Sequence, residues 1–430
     1  MVLLQYKLVV IFLAVIVYFI KKDLYFILWA CLMPLVFPLF VLRYSILDVE
    51  VFNSLVYATP TTFANVTLLI VLYEVVFNRK RIAITGLIGI FATLSIYLFF
   101  HALFTHFDVS NYVQEIRNLL NIIAPLLLIL AQKNVLPSFR VSLIFLMAFF
   151  IIEFAWCLLE SNQIYPYMIF YTGQVEGIKE NLLCGTFHRF NAFANFLTTC
   201  YLFITIDFYC NRRMPKWLFI IITCFVLTMV VMSGAKMSLV LLFFEIIAGA
   251  LLLTKSSKKG LLVLISLLII ILYLIAPYLI EYDGFTRMSE GFGDIANNDE
   301  STASLTQFIL RNYFWTSPLW GCGRAWLGEN AYGSVYALEN FRADARLAYM
   351  LTEYGIIGLS LFLIYFFKIF KYLKKTFSTN ILLVKSLKLS FAYFLILTLT
   401  EAGLFDINIL PMLYVYYLMA ANDVLKCTQK

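Results

Sequence analysis

The chain has 430 residues, of which 63% are hydrophobic and 13% charged, and its mean hydropathy is +0.89. A soluble domain carries about a quarter charged residues, so this composition excludes one and defines an integral membrane protein. The formal net charge of +7 comes with no concentrated basic surface and no nucleic-acid-binding motif, which excludes nucleic acid as a partner.

Apolar runs recur along the whole length, and most approach the roughly 20 residues that a helix needs to cross the hydrocarbon core. In chain order they cover 2–20, 24–42, 61–77, 82–100, 118–131, 141–159, 191–209, 217–232, 237–254, 260–280, 347–367, 389–404 and 407–421. The pattern predicts an all-α polytopic protein with about thirteen transmembrane helices in a single membrane domain. A β-barrel would instead show short segments of alternating polarity, so backbone groups inside lipid are expected to be satisfied within helices. The first run, VLLQYKLVVIFLAVIVYFI, lacks a small-x-small cleavage site and is followed by Lys21 and Lys22. It is expected to be a retained helix.

Alternate connections are basic: Lys21 with Lys22, NRKR at 78–81, Lys133 with Arg140, NRRMPK at 211–216, KSSKK at 255–259, and Lys368 through Lys388. Cytoplasmic loops retain Lys and Arg, so these six are expected on the cytoplasmic side. The two longest connections, 160–190 and 281–346, then lie outside.

Eight cysteines are scattered without metal-ligand spacing and read mostly as small apolar fillers. Cys184 and Cys322 fall in the two long external loops, where an oxidising compartment would permit a disulfide. There is no Walker loop, no GxGxxG after a strand and no HExxH. No metal or cofactor is expected, and the chemistry must draw on the substrate or on a gradient.

Three places on the external side gather cations. GTFHRFNAFANF, 185–196, sets His188 and Arg189 where a long loop meets the seventh run; SGAK, 233–236, is a tight hairpin ending on Lys236. The large loop carries RNYFWTSPLWGCGRAW at 311–326, with Arg311 and Arg324, and then Arg342, Asp344 and Arg346 ahead of a YGIIG helix. An isolated Arg189 reads equally as a snorkelling anchor. Lys236 lies where topology disfavours positive charge, which favours a functional role. The loop arginines have a second reading as solvated charges paired with Glu329, Glu339 and Asp344. Gly321 and Gly323 read as turn formers, and Gly355 with Gly358 as close-packing positions. Fixed cations at the edge of a bilayer make a receptor for a diphosphate headgroup whose tail stays in lipid. They would also stabilise that diphosphate as a leaving group.

HRFNAFANF, the serine-basic hairpin SGAK, the SPLWGCG turn and the charged approach to the YGIIGL helix resemble the O-antigen polymerases of the Wzy type, within the polymerase and ligase superfamily and its GT-C-like architecture. The resemblance implies an inner-membrane glycosyltransferase that joins oligosaccharide repeat units carried on undecaprenyl diphosphate at the periplasmic face. It implies membrane lipid and the lipid-linked glycan as partners, with a flippase and a chain-length regulator beside them, and metal-independent chemistry. By resemblance Arg189 and Lys236 hold the diphosphate, and His188, Arg311, Arg324, Arg342 and Arg346 bind substrate. Ligases of the superfamily carry a histidine before the last long helix, where this chain reads RADARLAY. Asp344 is the nearest group able to accept a proton there, which favours polymerase over ligase. The hairpin departs from the family in having lysine where arginine is usual.

Two other classes predict different features. A lipid-oligosaccharide flippase needs cations in a central cavity and no large external loop. A secondary transporter needs ionisable groups at mid-span, for which Glu74, Glu153 and Glu245 are the candidates.

Overall fold

The computed structural model describes residues 2–36, 49–80, 85–104, 109–131, 139–161, 183, 185, 190–210, 214–253, 314–323, 346–376, 381–400, 419 and 423. Among them the chain forms eleven α-helices of three or more turns and no strand. They are α1 Val2–Ile20, α2 Lys22–Val36, α3 Val49–Val76, α4 Thr85–Phe104, α5 Val109–Ala131 and α6 Phe139–Ser161, followed by α7 Phe190–Cys210, α8 Lys216–Ser233, α9 Lys236–Leu253, α10 Arg346–Thr376 and α11 Ile381–Thr400. A single 3-10 turn, Phe314–Thr316, precedes a short segment reaching Gly323.

Five stretches are long and apolar enough to cross a membrane: Gly86–Phe104, Phe193–Cys210, Lys216–Ser233, Met350–Lys375 and Ile381–Thr398. Shorter apolar helices cover Lys7–Ile20, Thr61–Val76 and Leu143–Leu159. The molecule is therefore an all-helical, multi-pass membrane protein. The expected runs at 260–280 and 407–421, and most of the loops 160–190 and 281–346, lie outside the described residues.

Three boundaries differ from the expectation, each for a physical reason. Helix α3 begins at Val49 rather than 61, and α5 at Val109 rather than 118. In α5 the added turns carry Glu115, on one face with Asn118 and Asn121, and Glu115 and Asn121 are buried against protein. An apolar-run criterion misses such turns, because the polar face points inward. Helix α10 is two helical pieces joined at Gly355, whose φ of 64° and ψ of −173° interrupt the helix.

Helix directions follow from paired contacts. Ser238 donates to Asn195 Oδ1 at 2.7 Å, and a Cβ on Gly249 would stand 2.9 Å from Thr205 Cγ2, so α7 and α9 run parallel and nearly in register. Tyr393 Oη meets Thr198 and Thr199 Oγ1 at 2.9 Å, and Ser386 Oγ meets Cys210 Sγ at 3.1 Å, so α11 runs antiparallel to α7. Tyr354 donates to Glu115 and Tyr365 to the Leu119 carbonyl, making α5 and α10 parallel. Tyr97 bonds the Tyr354 carbonyl while Phe91 faces Tyr365, so α4 opposes α10. Consequently α5, α7, α9 and α10 all begin at one end, called the upper end below.

The lower end gathers the basic flanks Lys22, Lys80, Arg140, Lys216, Lys374 and Lys375, as the alternation of basic connections requires. There Lys22 Nζ lies 2.7 Å from Glu74 Oε1, Tyr18 donates to the same oxygen, and Asn78 donates to Oε2 at 2.8 Å. Glu74, expected as a mid-span carboxylate, is thus a staple that ties the first connection to the end of α3. Deeper in this group, Thr67 receives Trp29 Nε1 at 2.9 Å and meets Tyr25 Oη at 2.8 Å. These bonds fix α2 on α3 without an exposed polar atom, as hydrocarbon surroundings demand. Helix α7 is the most enclosed of the five, with 83% of its stretch Phe193–Cys210 buried, and α8, α9 and α11 pack around it.

Candidate functional site

The upper ends of α7 and α9 meet because α8 runs back between them and a tight turn at Gly234 starts α9 beside α7. Gly234 adopts φ 72° and its N–H caps the Val231 carbonyl at 3.0 Å, ending α8 in a left-handed residue that favours glycine. Ser233 is fully buried and donates to the Val230 carbonyl at 2.7 Å. The SGAK hairpin is therefore a structural turn that delivers Lys236 as the first residue of α9. Lys236 is half-buried and makes no ion pair with any described residue. A cation at a helix N-terminus opposes the helix dipole, a repulsion on the order of 0.3–1 kcal/mol. Nothing among the described residues compensates it, and an anion at that spot would.

The first expected place joins the second. Leu183 N–H bonds the Met232 carbonyl at 3.3 Å, so the chain before α7 is tied to the end of α8 beside Lys236. Gly185, at φ +56°, lies against the fully buried Glu153 of α6: a Cβ there would collide with Glu153 Oε2 and stand 2.6 Å from the Phe193 ring. Glu153 thus faces the segment that leads into α7. His188 and Arg189, which immediately precede α7, lie outside the described residues.

The third place is built around the break in α10. Residues 318–323 lie across it as a strap: Cys322 and Gly323 N–H bond the Thr352 and Glu353 carbonyls at 2.8 and 3.0 Å. In return, Ile356 and Ile357 N–H bond the Pro318 and Leu319 carbonyls at 2.9 and 3.2 Å. The strap thus satisfies four backbone groups at the break, the Thr352 and Glu353 carbonyls and the Ile356 and Ile357 N–H groups, which meets the demand that irregular backbone at this depth be bonded within the protein. Gly321 and Gly355 face each other so closely that a Cβ on either would overlap the opposite backbone. Tyr97 Oη spans both pieces, bonding the Tyr354 carbonyl at 2.6 Å and the Trp320 carbonyl at 3.2 Å. The SPLWGCG turn and the YGIIG helix, separate motifs in the sequence, are two halves of one joint. Gly355 serves the joint through its φ, whereas Gly358 is a close-packing position, against Tyr354 and Tyr97.

Arg346 heads α10 at the same upper end as Lys236; its side chain, together with Arg311, Arg324, Arg342 and Asp344, lies outside the described residues. So does Cys184; Cys322 sits in the strap with Sγ 2.9 Å from Thr316 Oγ1.

Sequence reasoning passed over a polar cluster beside the joint. Glu115 receives Tyr354 Oη at 3.1 Å and Asn118 Nδ2 at 3.5 Å, and His101 is packed among Tyr97, Trp320 and Tyr354, with ring centroids 5.3 to 6.1 Å away. The available signal was the i, i+3, i+6 spacing of Glu115, Asn118 and Asn121. It is a helical stripe that begins before the apolar run does.

The arrangement defines a multi-pass helical membrane protein whose upper end collects the N-termini of α5, α7, α9 and α10, with the half-buried Lys236 at the head of α9. No family model matches the chain, and no curated protein matches it.

Proposed function

We propose that the protein is an O-antigen polymerase, joining undecaprenyl-diphosphate-linked oligosaccharide units at the periplasmic face of a bacterial inner membrane. The observation that carries this reading is Lys236: a cation without an ion pair to any described residue, at the N-terminus of α9 and beside the parallel N-terminus of α7. Two helix dipoles and a lysine at one spot favour a polyanion. The excess of Lys and Arg at the lower end supports a cytoplasmic lower face, which turns the upper end to the periplasm.

In this reading Lys236 and Arg189 hold the diphosphate of the donor. The bond from the anomeric carbon to the diphosphate oxygen breaks while the acceptor hydroxyl bonds to that carbon. The electron pair leaves with the diphosphate, whose growing charge the cations stabilise. The acceptor proton passes to a carboxylate, assigned by resemblance to Asp344; Arg311, Arg324, Arg342, Arg346 and His188 position the two glycans.

The test is gene deletion followed by gel analysis of surface polysaccharide. A polymerase leaves one repeat unit attached and removes the ladder. Loss of all attached polysaccharide indicates a ligase or a flippase, and an unchanged ladder refutes the whole reading. With purified protein and a lipid-diphosphate-linked repeat unit, Lys236→Ala is expected to slow polymerisation by roughly two to three decades, the loss of one charge-assisted contact in the transition state. Full rate in Lys236→Ala at matched protein level refutes the assignment.

A further inference from the structure

Glu245 lies on α9, nine residues beyond Lys236 and so roughly 14 Å deeper in the bundle. It is fully buried, and among the described residues neither carboxylate oxygen has a hydrogen-bond partner. The groups within its electrostatic reach are Cys200 and Tyr201 of α7 and Tyr393 of α11; Glu153 of α6 also acts on Cys200. Asp207, fully buried, lies further down the same face of α7. No cation from a described residue faces the site. An ionised carboxylate there would be uncompensated among the described residues, and even a neutral polar group left unbonded in apolar surroundings is destabilising. A leucine would avoid that cost, so the carboxyl calls for a ligand.

No three His, Cys, Asp or Glu side chains converge as metal ligands among the described residues. The ligand that fits one carboxylate among neutral groups is a proton. A route for it is visible. From the upper end, Ser238 Oγ bonds Asn195 Oδ1 at 2.7 Å; Thr199 Oγ1 bonds the Asn195 backbone carbonyl at 2.6 Å; Thr198 and Thr199 both meet Tyr393 Oη at 2.9 Å; and Tyr393, on α11 packed against α9, is the last group before Glu245, with which it shares no hydrogen bond. This polar lane runs between α7, α9 and α11 inside an otherwise apolar core.

We propose that Glu245 is an exchangeable intramembrane proton site, loaded from the upper face along the lane Ser238, Asn195, Thr198, Thr199 and Tyr393. Binding takes one proton from water at that face and forms one carboxyl O–H bond; release reverses it. The site does not depend on the polymerase reading. It shares α9 with Lys236, so loading Glu245 changes the charge of the helix whose upper end carries that lysine. Intramembrane carboxylates in such lanes mark proton relays.

Infrared difference spectroscopy on reconstituted full-length protein tests the proposal. The parent is expected to show a carboxylic-acid carbonyl band that Glu245→Gln removes, that weakens as bulk pH rises, and that shifts on transfer to D2O. Glu245→Asp should move the band rather than delete it, which keeps the test valid if the glutamine variant does not fold. Tyr393→Phe should keep the band and slow its D2O shift several-fold. A band that neither titrates nor shifts is a sealed structural acid and overturns the proposal. A spectrum unchanged by both Glu245 variants means the carboxyl is ionised, and overturns it equally.

Discussion

Gly355→Ala is the most direct probe of the joint between the strap and α10. The native φ of 64° with ψ near −173° lies in a region open to glycine alone, where an alanine carries strain of ~1–3 kcal/mol. The added methyl would also stand 2.5 Å from the Leu319 carbonyl carbon and 2.7 Å from Gly321 N, and closer still to the Leu319 oxygen. These are backbone atoms, which cannot rotate aside. The strap therefore has to separate, with loss of the four backbone bonds that Pro318, Leu319, Cys322 and Gly323 make to α10. At ~1 kcal/mol net for each bond, the expected destabilisation is about 4 kcal/mol, a large share of a total that is typically 5–15 kcal/mol. The assay is thermal challenge of detergent-solubilised protein followed by size-exclusion chromatography, with yield and residual monodisperse protein as readouts. A Gly355→Ala protein that expresses and survives heating like the parent refutes the close backbone contact.

Gly89→Ala provides the opposite sign: nothing lies within 4 Å of a Cβ there, so the helix should gain up to ~1 kcal/mol, read as equal or higher survival in the same assay. Tyr97→Phe removes the hydroxyl shared by the Tyr354 and Trp320 carbonyls, and leaving these unbonded should cost about 1–3 kcal/mol. Its loss should not add to that of Gly355→Ala, because both act on one joint; full additivity in the double variant would refute the shared contact.

What the sequence disclosed and what it concealed divide by the range of the interaction. Helix α1 matches its apolar run at both ends, because a long apolar run in lipid leaves the backbone one option. The SGAK hairpin was legible for the same local reason: a serine and a glycine in the four residues between two apolar runs mark a tight turn. The topological oddity of Lys236 was visible too, since charge bias needs only alternation. The strap was not. Its partner segment lies some thirty residues away in sequence, and no local preference of SPLWGCG announces a broken helix as its seat. Gly355 alone gave a hint, read as close packing when its role is a helix break. Glu115 was hidden because hydropathy averages over a helix, whereas burial selects a face. Glu74 looked like a mid-span carboxylate until Lys22 and Asn78 came to it from neighbouring turns.

The position of charge along α9 follows from the way α7 and α9 are paired. With α8 running back between them, these helices lie parallel, and parallel neighbours bring their positive dipole ends to one face, where most helix pairs in a hairpin would cancel. A lysine placed first in such a helix intensifies the positive end, and a glutamate buried in the same helix is set where no described residue would balance its charge. Neither placement assists folding: each would be cheaper as an apolar or neutral residue. Stability alone therefore does not account for Lys236 and Glu245. The two residues share a helix, a parallel neighbour and a polar lane, so the chemistry at the upper face and the ionisation of the interior are carried on the same element.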